Sequence, residues 1–235
     1  MPPKSILRPV VWTILVIGLL AAVWINGFTV VPIKQVQEVE QSQTFDPVKY
    51  VDGIWASKIV PTITDKATDL STILNEVQPN PNGHVKKDQL LPIAKKYGLI
   101  TEGEAQVYMV KGSGQVVSMD TSSNTGTMDV QLQGYSGPIK VQIYIGPIIP
   151  ADNTSIRDSV GFIQFGDFQD QTQYGKVNTE INKRVAADVL APLKGQDLVG
   201  KTISFVGAFT IRTFNLVIID MSQIQIVPIM INVEK

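Results

Sequence analysis

Apolar positions along the chain change their period twice. Residues 10–31, VVWTILVIGLLAAVWINGFTVV, form an uninterrupted apolar run without a charge. As one helix this run spans roughly 33 Å at ~1.5 Å per residue, which matches the hydrocarbon core of a bilayer. Trp12 and Trp24 stand toward its two ends, where amphipathic rings favour the interface. Lys4 and Arg8 precede it and no acid appears before Glu38, so the positive-inside bias puts residues 1–9 in the cytoplasm and the rest outside. A cleaved signal peptide is the competing reading. Asn26-Gly27-Phe28 is a poor small-x-small cleavage site, and a retained single-pass anchor in the cytoplasmic membrane fits better. Either reading exports the remainder of the chain.

A polar, Gln-rich linker over 32–44 leads into helical periodicity. Asp46-Pro47 supplies a cap and a first-turn proline, and Val48, Val51, Ile54, Trp55 and Ile59 follow on one face until Pro61. Ile63, Ala67, Leu70, Leu74 and Val77 step by four and three, predicting a second helix with Thr62 as its cap. The turn over 79–83 ends it, and Asp88 caps a third helix through Leu90, Leu91, Ala94 and Tyr97, with Gly98 as its stop. Trp55 and Tyr97 read as core packing.

From Gln106 the period is two. Apolar residues over 107–110 and 116–119 flank Lys111-Gly112-Ser113-Gly114, which reads as a hairpin turn. Met128, Val130 and Leu132, then Ile139, Val141, Ile143 and Ile145, alternate with polar residues as half-buried strands do. Residues 155–165 read as a short helix turning into a strand. Asp167 reads as the cap of a longer helix that carries Tyr174, Val177, Ile181 and Val185 on one face and ends at Pro192 and Gly195. Strands return over 202–209, less regularly over 210–219, and over 224–233, with a bulge or an edge at Pro228. The expected architecture is α+β: a transmembrane helix, a small helical subdomain over 45–104, and an OB-like β domain over 105–235 with one inserted helix. A plain α+β sandwich is the alternative.

Composition narrows the chemistry. Lys plus Arg number 20 against 21 Asp plus Glu, a net charge of −1, so no long-range field attracts nucleic acid. There is no cysteine, which removes disulfides, thiolate catalysis, Cys-based metal sites and a cysteine-linked lipid. His84 is the sole histidine, and no G-x-S-x-G, H-E-x-x-H or EF-hand pattern occurs, so neither a metal nor another cofactor is expected. The candidate ligand-binding residues are Arg157, Asp158, Asp167 and Gln171, set among Phe165 and Phe168. Arginine, carboxylates and amides beside aromatic rings furnish sites for sugars, with polar groups for hydroxyls and rings for the apolar face. The simpler reading of these residues, which capping by Asp167 favours, is a cap, an ion pair and core aromatics. A hydrolase acting on envelope carbohydrate through Asp158, Asp167 or Asp170 is the alternative function, and a structural envelope protein is the third.

Phe45-Asp46-Pro47-Val48-Lys49-Tyr50-Val51-Asp52-Gly53-Ile54-Trp55, with Lys58 and Pro61, resembles the N-terminal signature of a bacterial family. Ile145-Gly146-Pro147, Ser155-Ile156-Arg157-Asp158, the run over 165–171 and that over 200–209 resemble its remainder. The family is a domain of unknown function described as predicted periplasmic lipoproteins, often encoded beside sugar ABC transporter components. The resemblance implies a helical subdomain beside an OB-like domain at the outer face of the cytoplasmic membrane, and it carries over no catalytic residue. This chain departs from it by lacking cysteine, so the apolar run replaces the lipid as tether. The expected function is that of a non-enzymatic accessory or binding protein, with a transporter component or a sugar-like ligand as its partner.

Overall fold

A computed structural model describes residues 45–234, and residues 46–235 form one compact unit. The expected membrane helix over 10–31 and its flanking segments lie outside the described residues. Among the described residues no helix is long and apolar enough to cross a membrane.

Helix α1, Pro47–Ile54, starts as expected: Asp46 Oδ1 accepts the N–H groups of Val48 and Lys49, with Pro47 in the first turn. Pro61 does not end the helical path. The chain passes through one π turn, Trp55–Ile59, into α2, Val60–Lys66. Proline lacks an N–H and crowds the carbonyl four residues back. The wider turn, in which Val60 N–H bonds to Trp55 O, puts Pro61 in a new first turn where neither defect matters. Thr62 therefore lies inside α2 rather than capping it.

The expected helix over 63–77 is broken. Ala67 turns extended, and Thr68–Asp69 (β1) pairs in parallel with the long strand Gln106–Asp120 (β4). Asp69 then accepts the N–H groups of Ser71 and Thr72 and starts α3, Leu70–Glu76. A side chain that bonds its own downstream backbone offers the chain an alternative to continuous helix. After β2, His84–Lys86, helix α4 runs Lys87–Tyr97. It begins one residue before Asp88; Gln89 Oε1 takes the Lys86 N–H at 3.1 Å, and Asp88 sits in the first turn instead of capping. Gly98 is extended and opens β3, Gly98–Ile100.

The predicted hairpin at 111–114 is absent, because β4 is one strand of 15 residues. Its glycines serve close approach rather than a turn. A Cβ on Gly112 would lie 2.9 Å from a Leu132 methyl, and one on Gly114 2.3 Å from Gln131 O. Residues 106–115 of β4 pair with β7, Thr202–Ile211, and residues 114–120 pair with β5, Thr127–Leu132. With β6, Lys140–Tyr144, and β9, Gln223–Val233, the pairings run in a circuit, β4-β5-β6-β9-β7 and back to β4. Only the β6–β9 contact within it is parallel. Pro228 marks the predicted irregularity: the β7–β9 register shifts beside Gly207, its partner.

The inserted segment begins with α5, Ser155–Ser159, and no strand follows it. A short 3-10 turn, Phe165–Asp167, precedes α6, Gln171–Val185. Its cap is Asp170, which accepts the Gln173 N–H at 2.8 Å, and not Asp167. Helical turns continue through Ala186–Leu190 and Ala191–Leu193. The expected strand over 210–219 reduces to the end of β7 and a short β8, Ile218–Asp220, paired with β2.

Tyr108, Val110, Met128, Ile143, Phe205, Phe209 and Ile226 pack inside the circuit with Leu70, Leu74 and Leu90 from α3 and α4. Val107, Met109 and Ala208, on the opposite face of β4 and β7, are also buried, and α2 and α5 lie against these two strands. Helix α6 packs on α1, joined by an ion pair between Arg184 and Asp52. The result is an α+β fold in which the helical subdomain and the strands share buried surface.

Candidate functional site

Of the four residues singled out from the sequence, Arg157 and Asp158 bond to each other, Asp167 bonds elsewhere and Gln171 is exposed. Arg157, only 8% exposed, gives its Nε–H to Asp158 Oδ1 at 2.8 Å and lies 3.7 Å over the face of the Tyr174 ring. The Tyr174 hydroxyl approaches the same Asp158 oxygen at 3.4 Å. Burial pushes the Tyr174 pKa up, and the guanidinium charge opposes that shift. Phe165 and Phe168 pack against Tyr174 with centroids at 5.8 and 5.5 Å, and Tyr50 of α1 continues the row. This is a packed ion pair with a cation–π cover, which fastens α5 to α6. Asp167 instead accepts the Gln164 N–H at 3.1 Å and holds the 3-10 turn. Gln171 is exposed on the first turn of α6.

A cleft of about 450 Å³ opens elsewhere, between the end of β6, the loop over 145–154, the end of β7, and β8 with the start of β9. None of the four residues lines it. Two residues of its polar wall, Tyr144 and Gln225, end a relay of side chains across the outer sheet face. Ser118 Oγ donates to Asp129, Gln142 Nε2 to the other Asp129 oxygen, Gln225 Nε2 to Gln142, and the Tyr144 hydroxyl to Gln225 Oε1 at 2.9 Å. Period-two alternation puts these residues on one face, and neighbouring strands bring them within reach of each other. Burial raises the Tyr144 pKa, with a hydrogen bond from Asn153 opposing, so the hydroxyl stays neutral and can donate. Ser155 and Thr210 share a hydrogen bond of 2.9 Å on another wall. Arg212 at the rim bonds both the carboxylate and the backbone oxygen of Asp152, at 2.9 and 2.7 Å. Ile211, Ile219, Met221 and Ile224 contribute buried apolar surface.

The loop wall is pinned from behind by two asparagines of α6. Asn178 Nδ2 donates to the backbone oxygens of Ala151 and Asn153, and Asn182 Nδ2 to those of Pro150 and Asn153. Both side chains are buried, four residues apart on the face that also carries Val177 and Ile181. Asn178 Oδ1 finds no partner among the described residues. Sequence reasoning missed this pair, although two amides interrupting an apolar helix stripe are themselves a signal. Among the described residues no group of three or more His, Cys, Asp or Glu could hold a metal ion.

A family model described as predicted periplasmic lipoprotein (DUF2291) matches residues 18–232. The chain belongs to this family. That agrees with the resemblance read from the sequence, and the family's description points to an extracytoplasmic location. The DUF2291 chain also superposes on the crystal structure of an OB-fold protein from Thermotoga maritima, with a TM-score of 0.60 and 18% identity. The superposition covers 82% of this chain and 100% of the other. At that identity the likeness concerns the fold alone, and it supports the OB-like reading of the strand order. No curated protein matches the chain by sequence.

Proposed function

We propose that this protein is a non-catalytic, extracytoplasmic binding protein, tethered through residues 10–31, whose cleft beside Tyr144 takes a small neutral polyhydroxylated ligand. In this reading it serves a sugar ABC transporter in the same membrane, the setting that the family resemblance implies. The observation that carries the proposal is the make-up of the cleft. Hydroxyl and amide groups of Tyr144, Gln225, Asn153 and Thr210 face buried aliphatic side chains across about 450 Å³. Such a space suits a sugar, whose hydroxyls need donors and acceptors while its C–H face needs apolar surface. Arg212 and Asp152 at the rim neutralise each other, and the remaining charged lining residue, Asp220, accepts the Ser222 N–H, which favours a neutral ligand over an anionic one. Binding is favoured over hydrolysis because the carboxylates considered for catalysis are engaged elsewhere. Asp158 pairs with Arg157, Asp167 holds a turn, and Asp170 caps α6.

A thermal-shift panel of monosaccharides, disaccharides, polyols and amino acids tests this reading. A ligand at a hundredfold excess over its Kd stabilises by about 2.7 kcal/mol. For a chain of this size that raises Tm by on the order of 5–10 °C. A saccharide is expected to produce the shift in the natural chain and not in Gln225→Leu. A panel in which no saccharide shifts the melt, or in which the variant shifts equally, overturns the assignment.

A further inference from the structure

The loop over 212–218, Arg-Thr-Phe-Asn-Leu-Val-Ile, does not behave as a connection between strands ordinarily does. Phe214 is 63% exposed, Leu216 48%, Val217 77% and Ile218 50%. Asn215 adopts a positive φ of 54°, which turns the chain tightly at the middle of this apolar stretch. The loop is held at its base: Thr213 Oγ1 donates to Glu104 O, and Lys87 N–H donates to Val217 O at 2.9 Å. Leu99 and Ile100, 40% and 42% exposed, belong to β3, four residues before that Glu104 anchor. Several apolar side chains thus stand in water on a loop held at its base, and exposed apolar side chains gathered within one short segment mark an interaction surface.

We infer that this loop dips into the interfacial layer of a lipid bilayer. Charge favours that occupant. The segment 212–218 carries no carboxylate, and its one cation, Arg212, is paired with Asp152. Exposed Lys86 stands directly opposite Ile218 in the β2–β8 pair and makes no ion pair among the described residues. Asp220, the acid of that ribbon, lies at its far end opposite His84. Apolar side chains at a tip with an unpaired lysine at its base match the order of acyl chain and phosphate in a membrane interface. Chain length favours it too. Residues 32–45 separate the apolar run from α1 and extend to at most about 50 Å, so a bilayer holding residues 10–31 stays within reach of this unit. Leu216 and Arg212 also line the cleft, so insertion of the tip sets the cleft mouth beside the membrane surface.

The absence of cysteine makes the test direct, since an introduced cysteine is the sole labelling site. Val217→Cys and Lys201→Cys chains are each labelled with an environment-sensitive fluorophore and reconstituted, full length, into phosphatidylethanolamine–phosphatidylglycerol vesicles. Lys201 is exposed just before β7, and the loop follows the other end of that strand, roughly 30 Å away at ~3.3 Å per residue. The Val217 label is expected to shift to the blue and to lose most of its emission to brominated lipid, while the Lys201 label does neither. A Val217 label as wet as the Lys201 label overturns the inference, whether the chain is membrane-bound or not. So does a Val217 label shielded only after a protein partner is added. The inference rests on the proposed tether over residues 10–31, but none of these readouts involves the cleft ligand, so it and the cleft assignment fail separately.

Discussion

Arg157 gives its Nε–H to Asp158 while 8% exposed, and its remaining cover is the Tyr174 ring. Asp158→Asn therefore strands a buried cation and is expected to cost about 3 kcal/mol in urea unfolding. It should leave affinity for a cleft ligand unchanged, because Asp158 does not line the cleft. A lost ligand with unchanged stability would return this pair to the status of a site. Asn182→Ala differs in its effect on binding. It removes the donor to Pro150 and Asn153, and is expected to cost about 1–3 kcal/mol while weakening binding through the displaced loop. The grouping of Arg157, Asp158 and the aromatics was legible in the sequence, since those residues are close along the chain. The cleft was not, because Tyr144, Thr210 and Gln225 meet only when distant strands pair. The choice of cap was equally hidden: Asp167 and Asp170 are chemically identical, and only the extended backbone of Asp170 immediately before Gln171 decides between them.

At the scale of elements, helical and strand periods marked most helical and extended stretches, but not where one element ends, nor whether one stretch is a single element or two. A proline inside an apolar helical stripe reads as a stop, yet the π turn before Pro61 absorbs it. Asp69 interrupts a continuous apolar stripe because its two backbone hydrogen bonds start a new helix there. Gly112-Ser113-Gly114 reads as a turn because glycine marks turns and tight packing alike, and one sequence does not say which. Substitution separates the two roles. Gly114→Ala presses a methyl against Gln131 O, 2.3 Å away, within the continuous strand β4. The expected loss is about 3 kcal/mol, from a clash with backbone that cannot yield easily. Gly175→Ala, in α6, meets nothing within 4 Å and should instead stabilise by about 0.5–1 kcal/mol. A turn at 111–114 would predict only a mild effect for Gly114→Ala, and chemical denaturation of both variants checks the contrast.

Across the whole molecule, the strand circuit gives a rigid frame, and α6 links its two consequences. One end of that helix is held by the aromatic row and the Arg157 pair, and its middle pins the loop that walls the cleft. Strand order, visible in the sequence as strands, one helix and more strands, was enough to anticipate the OB-like architecture. It could not locate a ligand, because such a fold accepts sites at many places on its surface. The central claim is that the cleft beside Tyr144 binds a small polyhydroxylated ligand. It is tested most directly by a crystal structure grown with the saccharide that raises Tm. Density bonded to Tyr144 and Gln225, over Ile211 and Ile224, is the predicted result. Density against Arg157 and Phe168, or an empty cleft in a crystal of the liganded protein, would contradict it.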